Sequence, residues 1–158
     1  MMQVAAALNF SFERLTPTLL DEAYDLLYTH WDEIAHYRDL PLDPDRAQYL
    51  ALQANGVLRA YSVRVSDTQK LVGYAVYFVR PNPHYVSSGL CAAQDILYIH
   101  PDHRGIGHRF IPWCDEQLRA EGVRCVYQHS KLAHDIGPLL TRLGYEPIDT
   151  MWGRRLDR

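Results

Sequence analysis

Long apolar runs are missing from this 158-residue chain, and nothing in it approaches the ~20 consecutive apolar residues that a membrane-spanning helix needs. The opening MMQVAAALNF has no basic segment, and its apolar stretch is too short for a secretory signal, so a cytoplasmic location is expected. Cysteine is scarce. Cys91, Cys114 and Cys125 are odd in number and show no C-x-x-C spacing, which argues against both a disulfide framework and a zinc site and predicts reduced, buried thiols. An excess of positive charge is also missing: 16 Lys and Arg face 19 Asp and Glu, for a formal net charge of −3. A nucleic-acid binder normally carries a basic stripe, and the small Arg154, Arg155 and Arg158 cluster does not make one. Internal repeats and low-complexity segments are absent too.

What is present is a globular composition, 47% hydrophobic and 22% charged, in a chain of the length of one domain, read here as spanning residues 1–158. Residues 10–15 read as a first strand. Thr16-Pro17-Thr18 then caps a helix with Leu19, Leu20, Ala23, Leu26 and Leu27 at helical spacing. Residues 30–45 crowd Trp31, His36, Tyr37 and Arg38 with two prolines, a composition for a surface arm or lid. A second helix is expected over 45–55, closed by Gly56. Strands over 58–65 and 70–80 flank the Ser66-Asp67-Thr68-Gln69 turn as a hairpin. The second carries Tyr74, Tyr77 and Phe78, a set more in keeping with sheet packing than with a cation cage. After the break at Pro81 and Pro83 another strand runs to about Ile99, completing three antiparallel strands. A helix over 105–120, a strand over 123–128, a short helix over 133–143 and a last strand over 145–154 follow. The order βααβββαβαβ predicts an α/β fold with a mixed central sheet flanked by helices.

The most informative stretch is QDILYIHPDHRGIGHRFIPWCDEQ, residues 94–117, where a strand meets a Pro-Asp turn, then Arg104-Gly105-Ile106-Gly107-His108-Arg109, then a helix. First-turn N–H groups lack intrahelical partners and point outward, so a glycine-containing turn of this kind can hold a pyrophosphate. The Lys and Ser or Thr of a P-loop are absent. Arg104 and Arg109 flank the turn instead. Pro112 inside the following helix removes the N–H that would bond to His108, which predicts a bend or a loosened first turn.

This turn resembles the acyl-CoA binding motif of the GNAT superfamily of N-acyltransferases, Arg/Gln-x-x-Gly-x-Gly/Ala. Leu71-Val72-Gly73-Tyr74, Leu97-Tyr98-Ile99-His100-Pro101 and Leu143-Gly144-Tyr145-Glu146 support the likeness over residues 10–156. With the proline-rich 82–85 connection, the chain is most similar to GNAT-like proteins encoded by tailed bacteriophages. The resemblance implies a single-domain GNAT-like fold and an N-acetyltransferase using acetyl-CoA on a primary amine by direct attack. It also leaves room for a homodimer. Pantetheine would pair with backbone near Leu97, Tyr98 and Ile99, and the pyrophosphate would sit on Arg104, Gly105, Ile106, Gly107, His108 and Arg109. Arg109 stands where the family prefers Gly or Ala. A second register, Asp102-His103-Arg104-Gly105-Ile106-Gly107, keeps both glycines but opens on an acid.

Transfer to an amine requires a group to take the amine proton and permits one to protonate the thiolate. Asp95, at the start of the fourth strand, is the leading base. A strand-end acid bonded to backbone is its blander role, and Gln94 could only position a water. The family's usual acid, a tyrosine, is replaced here by Leu140, which leaves Tyr127, His129, Ser130 or His134 as replacements and keeps a second reading open, a catalytically inactive GNAT-like protein that works by contact with a host or phage protein. His129 and His134 form an H-x4-H pair without an obvious third ligand, so no metal is expected. Asp32, Glu33, Asp39 and Asp43 give the 31–43 arm an acidic lean, compatible with a polyamine, an aminoglycoside or a lysine side chain; the acceptor stays open.

Overall fold

Local chemistry sets the elements where capping residues and hydrophobic period agree. In the computed structural model, which describes residues 6–158, strand β1 (Leu8–Glu13) leads into helix α1 (Pro17–Ile34). Thr16 caps α1 by accepting from the Leu19 N–H at 3.1 Å, with Pro17 in the first turn where its missing donor costs nothing. Asp45 caps helix α2 (Arg46–Ala54) in the same way, accepting from the Gln48 N–H at 2.9 Å. Strands β2 (Leu58–Val65), β3 (Leu71–Pro81) and β4 (Leu90–Ile99) follow as an antiparallel meander. Helix α3 (Gly107–Ala120), strand β5 (Val123–Tyr127) and helix α4 (Gly137–Arg142) complete the order.

The five strands form one sheet in the order β1-β2-β3-β4-β5, antiparallel except for the parallel β4–β5 pair. This is the expected mixed α/β arrangement. On one face, Phe110, Cys114 and Leu118 of α3 pack on Tyr61, Val63, Tyr77 and Ala92 to form the main core. On the other face, Leu26 of α1 meets Leu71, Tyr74 and Tyr98, and Tyr49 and Leu52 of α2 meet Leu58, Ala60 and Val76.

Three expectations need correction. Residues 145–154 form no strand, so the sheet has five strands and not six. Pro147 cannot donate to a ladder, and Arg155 draws the tail toward Asp39 of the 31–43 arm, with Nη1 2.9 Å from Oδ2. Helix α4 begins at Gly137 and not near residue 133. Before it, Asp135 Oδ1 accepts from Ser130 Oγ at 2.5 Å and from the Gly137 N–H at 2.8 Å, a turn that competes with helix. Of the thiols, Cys114 is buried, Cys91 is half-buried and Cys125 is exposed, so burial holds for one only; all three are free. No helix among the described residues is long and apolar enough to cross a membrane.

Candidate active site

The site begins where the parallel pair ends. β4 pairs with β5 only through Leu90, Cys91, Ala92 and Ala93, and β5 stops at Tyr127. From Gln94 to Ile99 the β5-side edge of β4 is therefore unpaired, and it runs along a cavity of about 740 Å³. Leu97, Tyr98 and Ile99 line that cavity. Opposite this stretch the β3–β4 register slips between Val76 and Tyr77, which pair with Ile96 and Gln94. Asp95 is left out of the ladder as a bulge, the usual device for re-aiming a side chain. It lies in the middle of β4, not at its start. Its Oδ2 accepts from Tyr49 Oη at 2.7 Å, so α2 holds its carboxylate.

The far end of the cavity is the start of α3. Gly105 has φ +97°, in the range that favours glycine, and a Cβ on Gly107 would come within 2.9 Å of Leu139 Cδ2 on α4. Ile106 at the N-cap makes no side-chain cap bond, and the N–H groups of Arg109 and Phe110 both reach its carbonyl at 2.9 Å. The N–H groups of Gly107 and His108 thus have no intrahelical acceptor, and both residues line the cavity. His108 also tightens the turn, with Nδ1 2.7 Å from the Gly105 carbonyl.

The two motif arginines part company. Arg104 lines the cavity, with Nε donating to the Ile99 carbonyl at 3.2 Å and its guanidinium stacked over Tyr98 at 5.6 Å. Its Nη2 reaches the Glu33 carboxylate at 2.5 and 2.7 Å. The Arg109 guanidinium lies over Phe10 on β1, 5.9 Å from the ring centroid, and Ile106 packs into the main core. With ~100° between successive helix positions, a residue two beyond Gly107 points to another face. Lys131 and Arg142 bring positive charge to the cavity instead. Sequence reasoning missed both, since Lys131 comes from the segment after β5 and Arg142 from the end of α4, and only tertiary packing brings them to the cavity.

Glu33 is a further residue the sequence concealed among the acids of the arm. Besides Arg104 it accepts from Tyr98 Oη at 3.1 Å, and His134 Nδ1 lies 3.3 Å away. Burial pushes its carboxyl pKa up, but Arg104's hydrogen bond and charge outweigh that and hold it below the usual range. His30 is buried, with Nδ1 2.8 Å from Tyr74 Oη and its ring stacked on Tyr98 at 4.5 Å. Burial lowers its pKa to about 4, so at neutral pH the ring is uncharged.

Of the expected proton-transfer residues, Asp95, His129 and His134 line the same cavity and Ser130 does not; the His129 N–H donates to Gln94 Oε1 at 2.8 Å. Tyr127 lines only an adjoining cavity of about 610 Å³, which it shares with His129, Tyr145, Met151 and Leu140. There, hydrogen bonding to the Cys125 thiol raises the pKa of its phenol. Tyr74 and Tyr77 are sheet-packing residues, on opposite faces. Among the described residues no three His, Cys, Asp or Glu side chains gather as a metal site.

Comparison with known proteins agrees with this architecture. No curated protein matches the chain by sequence. A ribosomal-protein-alanine N-acetyltransferase from Brucella melitensis biovar Abortus 2308 superimposes with a TM-score of 0.69 at 20% identity, over 95% of this chain and 99% of its own. An aminoglycoside acetyltransferase from an uncultured soil metagenomic sample, in complex with sisomicin, gives 0.68 at 15% identity over 93% and 96%. A predicted acetyltransferase with acetyl-CoA from Clostridium acetobutylicum gives 0.65 at 14% identity over 95% and 97%. At these identities the likeness is one of fold. The sequence profile described as Acetyltransferase (GNAT) family matches residues 19–145, most of the chain, and the protein therefore belongs to the GNAT family of acetyltransferases.

Proposed function

We propose that the protein transfers an acetyl group from acetyl-CoA to a primary amine by direct attack. The observation that carries this reading is the unpaired β4 edge, residues 94–99, ending at the uncapped start of α3 within one cavity. An extended pantetheine can add to an open strand edge through its amides, which asks for backbone and not for particular side chains. A pyrophosphate suits the Gly107 and His108 N–H groups, with Arg104, Lys131 and Arg142 supplying positive charge. The relative crystallised with acetyl-CoA supports the same assignment.

In the reaction the neutral amine attacks the thioester carbonyl carbon; a C–N bond forms, the C–S bond breaks, and one amine proton must leave. We assign that proton to the Asp95 carboxylate, which the bulge brings to the cavity. His129, tied through its backbone to Gln94, is assigned to protonate the departing thiolate. Tyr127 receives no role, because unlike His129 it does not line the cavity of the β4 edge. We place the reaction in the cytoplasm, the host's if the chain is phage-encoded as its 82–85 connection suggests.

Isothermal titration with acetyl-CoA and with CoA tests the reading. Micromolar binding of either is expected, followed by amine-dependent release of CoA thiol. No binding at millimolar ligand overturns it in favour of a fold reused for protein contact.

A further inference from the structure

A second cavity, about 500 Å³ in volume, lies on the sheet face that carries α1 and α2, beneath those helices and the arm between them. Its roof includes Ala23, Leu27, Trp31 and Leu42, and its floor includes Tyr74 and Ile96. The two helices stand off from the sheet here. Only Leu26 and His30 of α1 are buried, and no residue of α2 is. Protein interiors leave few voids larger than a water molecule, so an apolar recess of ligand size is a place for another molecule. It opens to solvent beside Tyr24 and Leu40, which are 40% and 45% exposed.

The recess meets the acetyl-CoA cavity at one point. Ile96 lines both, and Tyr49, which lines the recess, donates its hydroxyl to Asp95, which lines the other. A molecule in the recess therefore has its inner end beside the Tyr49–Asp95 pair.

The acids at the end of α1 and in the arm do not make this a cation trap. Asp32 is paired with Arg38, Asp39 with Arg155, and Glu33 with Arg104. Of the carboxylates that line the recess, Glu13 is held by Ser62 Oγ at 2.7 Å and Arg64 Nε at 2.8 Å. Asp43 is the other, and it has no ion-pair partner among the described residues. A polycation would bring several charges to one unneutralised carboxylate and an aromatic wall.

We infer that this recess is the acceptor subsite, and that its substrate is a primary amine carried on an apolar alkyl or aryl body. The inference rests on the acetyltransferase reading. Apolar surroundings disfavour the charged form of an amine, which helps supply the neutral nucleophile that attack requires. As the C–N bond forms and the C–S bond breaks, Asp95 acts as the base through Tyr49: the amine proton passes to Tyr49 Oη while the Tyr49 proton passes to Asp95. The carboxylate ends protonated, and the electron pair leaves on the CoA sulfur. Burial raises the Tyr49 pKa, with the Asp95 bond adding to it, so the phenol is in place as a neutral donor.

The test uses the full chain and a matched amine panel: octylamine, 2-phenylethylamine and tryptamine against spermidine and kanamycin, with CoA thiol release as readout after acetyl-CoA binding has been measured. The apolar amines are expected to exceed the polycations by about tenfold or more in kcat/KM, the scale on which a fitted apolar pocket discriminates. Octylamine should also change the fluorescence of Trp31 saturably, and Ala23→Trp, which fills the recess, should abolish both effects while acetyl-CoA affinity is kept. With acetyl-CoA bound normally, equal or faster transfer to spermidine or kanamycin overturns the inference and leaves the acetyltransferase reading standing. Absence of both transfer and fluorescence change with every apolar amine does the same. Failure to bind acetyl-CoA overturns both.

Discussion

At the scale of single residues, the site depends on groups held by partners from other elements. Tyr49 lies 46 positions from Asp95 in the chain, yet its hydroxyl is the carboxylate's hydrogen-bond donor. Asp95→Asn is expected to slow transfer by roughly 100-fold with acetyl-CoA affinity unchanged, the usual size of a lost general base. Tyr49→Phe should lower kcat while leaving the KM for acetyl-CoA unaltered; steady-state kinetics on both variants separate a proton-transfer role from a structural one. His30 makes a stability prediction. Its pKa is about 4 when folded and 6.5 ordinarily, so between those values the unfolded chain binds the extra proton. Stability is then fully present above pH 6.5 and is lost as pH falls toward 4, by about 3 kcal/mol. Urea titrations across this range should show the loss in the wild type and a much smaller one in His30→Gln, which keeps a partner for Tyr74 but cannot titrate. Glu33, whose pKa is lowered from 4.5, adds its own loss only at the acidic end, so the upper part of the window reports His30.

At the scale of elements, the strand–turn–helix of residues 94–117 was legible because its constraints are local. Gly105 sits at positive φ and Gly107 makes a close approach, and both stood out as a glycine pair before a helix. Gly105→Ala is expected to lower both the melting temperature and the affinity for CoA, by roughly 1–3 kcal/mol of backbone strain distributed between them. Gly107→Ala should cost less in stability, because the atom it meets is the end of a leucine side chain that can give way. Calorimetric melting and titration with CoA measure both variants. The direction of Arg109 was not legible. Its place in the turn suggested a phosphate contact, but helical rotation carries its guanidinium to Phe10. The expected strand over 145–154 failed for a similar reason. Pro147 within it cannot donate to a ladder, and the ties of Tyr145 Oη to Asp115 at 2.6 Å and of Arg155 to Asp39 are to partners distant in the chain.

At the scale of the whole molecule, the tail crosses to the arm between α1 and α2. Arg155 pairs with Asp39 and Asp157 and stacks over Tyr37 at 5.6 Å. Arg155 is half-buried but both carboxylates it meets are exposed, and ion pairs at the surface contribute little to global stability. Arg155→Ala is therefore expected to leave the melting temperature nearly unchanged while speeding proteolytic cleavage beyond Tyr145; trypsin time courses followed by mass spectrometry check this. The amino-acid sequence by itself determined the hydrophobic period, the Thr16 and Asp45 caps, the β2–β3 hairpin and the glycine turn before α3, because each depends on residues a few positions apart. Only the tertiary structure decided that β5 stops short and opens the β4 edge, that Tyr49 holds Asp95, that Glu33 takes Arg104, and that an apolar recess meets the cavity along that edge at Ile96. Those features are contacts between segments tens of residues apart, and no local pattern of side chains encodes which of the available partners a group will meet.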